Sequence, residues 1–185
     1  MVHLRTVLWR KADNTSIEYS VLHRGGDGSV LEGTVILILE DSPAKVTYRV
    51  NCDSQWRTRH VEVLQEHVGK VSKLSLDVDE NQRWQENHVH LQFADGWFDV
   101  DFEISPSTNT LPIRRLNLKV GESAETTAVW VRFPSLKLER LKQRYSRVGD
   151  RSYRYEAPTL GFKAQLEVDE AGLMAKYGDL WMRIA

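Results

Sequence analysis

One cysteine, Cys52, is present, so an intrachain disulfide is excluded and a reducing compartment is expected. No apolar run approaches the roughly 18 residues that a membrane span needs. The opening residues, Met1 to Arg10, lack the apolar core and small-residue cleavage site of a signal peptide, so a cytoplasmic location is expected. Neither sign of charge dominates. With 25 Lys and Arg against 26 Asp and Glu, the formal net charge is −1, without the broad basic footprint that nucleic acid demands. Linkers, low-complexity segments and long amphipathic helices are also missing. A chain of 185 residues suffices for one sizeable core and is short for two, so residues 1–185 are read as a single domain.

Several chemistries lack their residues. No glycine-rich phosphate loop is present, and Gly25-Gly26-Asp27-Gly28 precedes a strand rather than a helix. His88 and His90 share a strand face, but no cysteine or third histidine stands at ligand spacing, so they read as a surface pair and no metal is expected. Asp53, Ser54 and His60 are neighbours without a nucleophile elbow. No cofactor and no catalytic residue is assigned.

What is present is alternation. Ser16 to Leu22, Val71 to Val78, Phe98 to Ile104, Thr126 to Phe133 and Phe162 to Val168 read as strands, and turn residues punctuate the chain at near-regular spacing. Val89, Leu91 and Phe93 share a face of a return strand after Trp84. Leu31 to Leu39 is apolar on both faces and reads as a strand covered on both sides. A dozen or more short strands with short connections imply an all-β protein built on one mainly antiparallel sheet, which must curl or split into layers.

One stretch breaks the alternation. Ser105 to Leu116 places a Ser/Thr/Asn run between Pro106 and Pro112, then Ile113, Arg114 and Arg115. It reads as a loop or short helix inserted around residues 106–116, with strand alternation resuming at Leu116 to Val120. On the strand before it, Asp99, Asp101 and Glu103 point to one face. That row is either a solvated outer face or an inward row needing cations, for which Arg114 and Arg115 are the nearest candidates. In the Cys52 to Arg59 cluster, Asp53 and Arg59 form either a structural ion pair or part of a site, and Trp56 is either core or a flat platform for a sugar or lipid. Tyr145, Tyr153, Tyr155 and Tyr177, with Arg144, Arg147, Arg151 and Arg154, make the last third rich in tyrosine and arginine: a ligand rim or ordinary cross-strand pairs.

Together these residues resemble a known family. Cys52-Asp53-x-x-Trp56-x-Thr58-Arg59, Asp99-Val100-Asp101 and Thr108-Asn109-Thr110-Leu111-Pro112-Ile113-Arg114-Arg115-Leu116 are similar to motifs of the bacterial "putative glycolipid-binding" family. The likeness continues through Gln143-x-Tyr145, Tyr153-x-Tyr155, Asp169-x-x-Gly172 and Leu180-Trp181-x-Arg183. It implies a spiral β-roll, one long antiparallel sheet wrapped around itself with the insertion on its concave side, similar in shape to bacterial lipoprotein carriers. Two departures are Tyr177-Gly178, where the family tends to have Tyr-Pro, and Trp97 after Gly96, where a small residue or cysteine is usual. The bulk of Trp97 bears on pocket size.

The resemblance implies a glycolipid or other amphiphile as partner, held without catalysis by an apolar cleft and a polar mouth. The candidate ligand-binding residues are Asp53, Trp56, Arg59, Asp99, Asp101, Asn109, Arg114, Arg115 and Tyr145. Two other readings stand beside it: a hydrolase of a sugar or lipid using the aspartate pair, and an interaction module with a filled core, in which the same polar residues lock the fold.

Overall fold

The computed structural model describes residues 1–185. The chain forms one 15-stranded sheet, not closed into a barrel, built from two meanders. The first comprises β1 (Val2–Lys11), β2 (Ser16–Gly25), β3 (Gly28–Leu39), β4 (Ser42–Asp53), β5 (Thr58–His67), β6 (Lys70–Val78), β7 (Trp84–Glu86) and β8 (Val89–His90). A 3-10 turn at Gln92–Ala94 then carries the chain to β9 (Asp99–Phe102) at the opposite edge. The second meander, β10 (Ser123–Val131), β11 (Leu138–Gly149), β12 (Ser152–Ala157), β13 (Phe162–Val168), β14 (Met174–Tyr177) and β15 (Trp181–Arg183), returns to the first. β15 pairs with β1, Trp9 opposite Arg183 and Lys11 opposite Trp181, so the two ends of the chain meet mid-sheet.

The sheet wraps. Tyr48 on β4 and Phe102 on edge strand β9 are far apart in strand order, yet their rings lie 5.2 Å apart. One cluster of 37 buried residues joins both meanders, from Val7 and Trp9 to Met174 and Trp181. This is the spiral β-roll that the resemblance implies.

Every strand pair is antiparallel except β9 with β10, which run parallel with Asp99 opposite Ala128 and Phe102 opposite Val131. Parallel neighbours need a crossover, and the inserted stretch supplies it. After β9 the chain makes a 3-10 turn, Ser107–Asn109, then helix α1 (Thr110–Leu116). The Ser107 N–H donates to Ser105 Oγ (3.0 Å) and the Phe102 N–H to Thr108 Oγ1 (3.2 Å), which turns the chain inward. Pro112 sits in the first helical turn, where no donor is missed. Asn117, in the left-handed region at φ 44°, ends the helix.

Three strand expectations are corrected. Leu116 to Val120 does not resume a strand, because the helix runs to Leu116 and its left-handed cap redirects the chain. Val89, Leu91 and Phe93 do not share a strand face; β8 stops at His90 and a 3-10 turn follows. β3 is covered on one face only near its end, where Ile36 and Ile38 are exposed (48% and 53%). In β2 the alternation is inverted. Ser16, Glu18 and Ser20 are buried and Ile17 and Tyr19 are exposed, because the inward face meets the polar insertion.

Candidate functional site

Ser105, Ser107, Thr108, Asn109 and Thr110 are all buried within the roll. Interior polar groups must be hydrogen-bonded, so the surrounding strands carry matching partners. Glu18, fully buried, accepts the Ser105 hydroxyl at 2.8 Å and the Tyr48 hydroxyl at 2.6 Å on Oε1, while its Oε2 has no partner. Burial raises its pKa to about 7, against the opposing hydrogen bonds of Tyr48 and Ser105. Tyr48 reaches it across β3 at Gly33, where a Cβ would stand 2.5 Å from the tyrosine oxygen. Asn109 accepts the Tyr145 hydroxyl (2.8 Å), and its amide donates to the Pro106 carbonyl (3.3 Å).

At the far end of the insertion, Arg115 donates from Nε to Asp99 Oδ1 (3.1 Å) and from Nη2 to Oδ2. The Thr126 hydroxyl completes the cluster at 2.8 Å from Asp99 Oδ2. The Asp99, Asp101 and Glu103 row therefore divides. Asp99 is locked in the interior, Asp101 accepts the Gln143 amide (2.8 Å), and Glu103 pairs with Arg132 at the surface. Burial, with the nearby Glu103 and Asp99 carboxylates, raises the Asp101 pKa to about 7 despite the Gln143 bond.

One turn structure recurs three times in the chain. Asp53, Asp79 and Asp169 each open the same five-residue turn. In each, Oδ1 accepts the backbone N–H groups two and four residues on. The fourth residue, Trp56, Gln82 or Gly172, has positive φ (65°, 58° and 84°). Asp53 Oδ2 takes Arg57 (2.7 Å) and Arg59 (2.7 Å), and Arg59 continues to the Asp79 carbonyl. Against the cost of burial, the hydrogen bonds from Arg57 and Arg59 hold Asp53 below the usual carboxylate range. Asp169 Oδ2 takes Arg183 (2.9 Å).

Between the Asp53 turn, the Asp169 turn, the end of α1 and the β11–β12 hairpin lies a cavity of about 1060 Å³. Trp56, Phe98 and Tyr153 contribute aromatic surface, and Arg57, Arg114, Arg115, Arg147 and Arg151 contribute guanidiniums. The Arg114 guanidinium lies 5.3 Å over the Trp56 ring and that of Arg115 4.8 Å over Phe98. On the other side of the insertion is a smaller crevice of about 200 Å³. Its wall is mostly apolar, with Trp130, Phe162 and Trp181, and carries Asp101, Asn109, Tyr155 and Tyr177 among its polar groups.

The structure thus distributes the nine candidate residues. Trp56, Arg114 and Arg115 line the large cavity, and Asp101 and Asn109 line the crevice. Asp53, Arg59, Asp99 and Tyr145 line neither and hold their neighbours in place. Asp99 and Asp101 do not face a common cavity, and the concave side is occupied by the insertion itself. Trp97 also lines neither cavity; it packs on Phe93 and takes the Trp84 indole N–H on its carbonyl (2.9 Å). Glu18 and Phe98 lie outside the candidate set. Glu18 has no sequence signal, because a carboxylate in an alternating strand normally marks the outer face. Arg147 and Tyr153 stand in the Tyr/Arg-rich segment, without a mark to single them out.

No helix of the chain is long and apolar enough to cross a membrane. The chain matches no curated protein. Among solved structures, a DUF1089 family protein from Pseudomonas aeruginosa is similar over 90% of this chain and 92% of its own, at 34% identity and a TM-score of 0.82. The model of the family described as "Putative glycolipid-binding" matches residues 6–183, which include the Asp53 turn, the insertion and the Asp169 turn. The chain belongs to that family.

Proposed function

We propose that the protein is a non-catalytic binder of a glycolipid, with recognition centred on the sugar head group in the large cavity and with Trp56, Arg114 and Arg115 among its contacts. The observation that carries this reading is the composition of that wall: guanidinium donors seated over aromatic rings, which presents hydrogen-bond donors to the oxygens of a head group at a partly apolar surface. Its volume of about 1060 Å³ suits a head group of one or more rings. The crevice, at about 200 Å³, is below the roughly 300 Å³ at which small-molecule pockets begin, so the acyl tail is assigned no deep enclosure. The remaining candidates, Asp53, Arg59, Asp99, Asn109 and Tyr145, act by fixing the insertion and the turn that present this wall; Asp101 is assigned to the crevice. A buried lone Cys52 suits a cytoplasmic setting.

The test is native mass spectrometry of the protein purified from its own host, followed by organic extraction and by titration with glycolipid micelles. A glycolipid released in near-stoichiometric amount, and its loss in Trp56→Gly, is the expected result. The glycine tolerates the positive φ at this position, but the ring is also part of the buried core, so the loss counts only if circular dichroism shows the variant folded; Arg114→Gln carries the test if it is not. Protein that is empty and that binds no glycolipid micelle overturns the reading.

A further inference from the structure

The five arginines of the large cavity are not equivalent. Arg57 is paired with Asp53 (2.7 Å), Arg115 with Asp99, and Arg151 with Glu170 (2.7 Å). Arg114 and Arg147 have no carboxylate partner. Arg147 donates only to carbonyl oxygens, of Leu118 (2.8 Å), Gly149 (3.3 Å) and Asp150, which orient the guanidinium without neutralising it. Arg114 makes a single long bond to the Glu170 carbonyl (3.4 Å), and its buried Nε has no partner. The carboxylates of the wall are no substitute. Asp169 is occupied by its own turn, by Arg183 and by Arg5 (3.7 Å), and Asp150 is exposed.

Both free guanidiniums lie over rings, Arg114 over Trp56 (5.3 Å) and Arg147 over Tyr153 (5.8 Å). Gly172 allows this for Arg114, since a Cβ there would stand 2.7 Å from Arg114 Cδ. Burial, and after it the neighbouring Arg24 guanidinium, lower the Arg114 pKa, against the opposing pull of Tyr153 and Asp169. Burial raises the Tyr153 pKa while Arg147 and Arg114 pull it back, so both cations act on one point of the wall.

We propose that this cavity is an anion site, in which Arg114 and Arg147 together grip a phosphate, sulfate or carboxylate group. This deepens the glycolipid reading and rests on it: the head group is an anionic one. The Arg147 guanidinium, already oriented by three carbonyls, loses little freedom when it binds an oxyanion in a forked geometry, and Arg114 has donors uncommitted for the same group.

The test is calorimetric titration of the full chain with inorganic phosphate, glucose, glucose 6-phosphate, and micelles of a neutral and of a phosphate-bearing glycolipid. Glucose 6-phosphate is expected to bind at least tenfold more tightly than glucose, with affinity falling as salt rises. Arg114→Gln and Arg147→Gln each remove at least tenfold of that affinity, whereas Arg154→Gln, on the exposed face of β12, removes none. Arg114→Lys and Arg147→Lys keep the charge and stem but lose the fork, and are expected to fall between; they carry the test if a glutamine variant fails to fold. Equal binding of glucose and its phosphate, or phosphate binding indifferent to both arginines, overturns the proposal. If phosphate and sugar phosphate bind while neither micelle does, the anion site stands and the glycolipid reading fails. If both micelles bind alike, independently of Arg114 and Arg147, the glycolipid reading stands and the anion site fails. Binding of none of the probes overturns both.

Discussion

Arg115 and Asp99 meet where solvent hardly reaches, with side chains 14% and 1% exposed. An ion pair in such a place is costly to make and more costly to break, since removing one partner strands the other charge. Arg115→Ala is therefore expected to lower unfolding free energy by about 3–5 kcal/mol in chemical denaturation. A loss below about 1 kcal/mol, the range of exposed pairs, would refute the interior-lock account. Glu18 and Asp101 have the opposite problem, carboxyl groups buried without a cation. Each has a folded-state pKa of about 7, above its unfolded value. Their stabilising contribution is full below the ordinary carboxylate range and is lost as pH rises to about 7 and beyond. Stability should thus fall between pH 5 and pH 8. For Glu18 the shift from 4.5 to about 7 corresponds to at most about 3 kcal/mol; for Asp101, which reaches the crevice, less. Glu18→Gln should flatten this slope, read from urea midpoints across the range. Below pH 4 the order reverses, as Asp53, held low by Arg57 and Arg59, loses its charge.

At the scale of elements, the Asp53 and Asp169 turns, the inserted helix and the β11–β12 hairpin decide where the cavity side chains stand. Gly172 occupies the left-handed position of its turn and lies under the Arg114 stem. Gly172→Ala is expected to cost about 1–2 kcal/mol through backbone strain alone. It should also move Arg114 off Trp56, seen as a change in tryptophan fluorescence beyond that of a surface variant. An unaltered melting temperature would argue against the turn as described. The insertion was visible in the sequence as a break in alternation at Pro106, and Asn109, Arg114 and Arg115 stood out because polar residues there had no strand face to occupy. The paired inward face of β2 was not visible. Ile17 and Tyr19 outside with Glu18 inside is the reverse of the usual order, and it follows only once a polar segment fills the concave side. The Asp turn repeat was hidden for a related reason. Its constant parts are one aspartate and a backbone shape, and at the left-handed position tryptophan, glutamine and glycine alternate.

For the whole molecule, the pairing of β1 with β15 and the shared 37-residue core join the two meanders, which are expected to unfold as one unit. Urea unfolding followed by tryptophan fluorescence and by far-ultraviolet circular dichroism should give coincident transitions. A separate early transition would show that one meander folds alone. By itself the sequence determined an all-β chain, its turns, the inserted segment and the family, because alternation, turn chemistry and a rare motif are local properties that need no third dimension. Only the tertiary structure decided that β9 and β10 run parallel and that the insertion fills the roll. It alone decided which arginines are spent on carboxylates and which face a cavity unpaired, since charge compensation depends on distances between residues that the chain order keeps far apart, such as Arg114 of the helix and Arg147 of a hairpin.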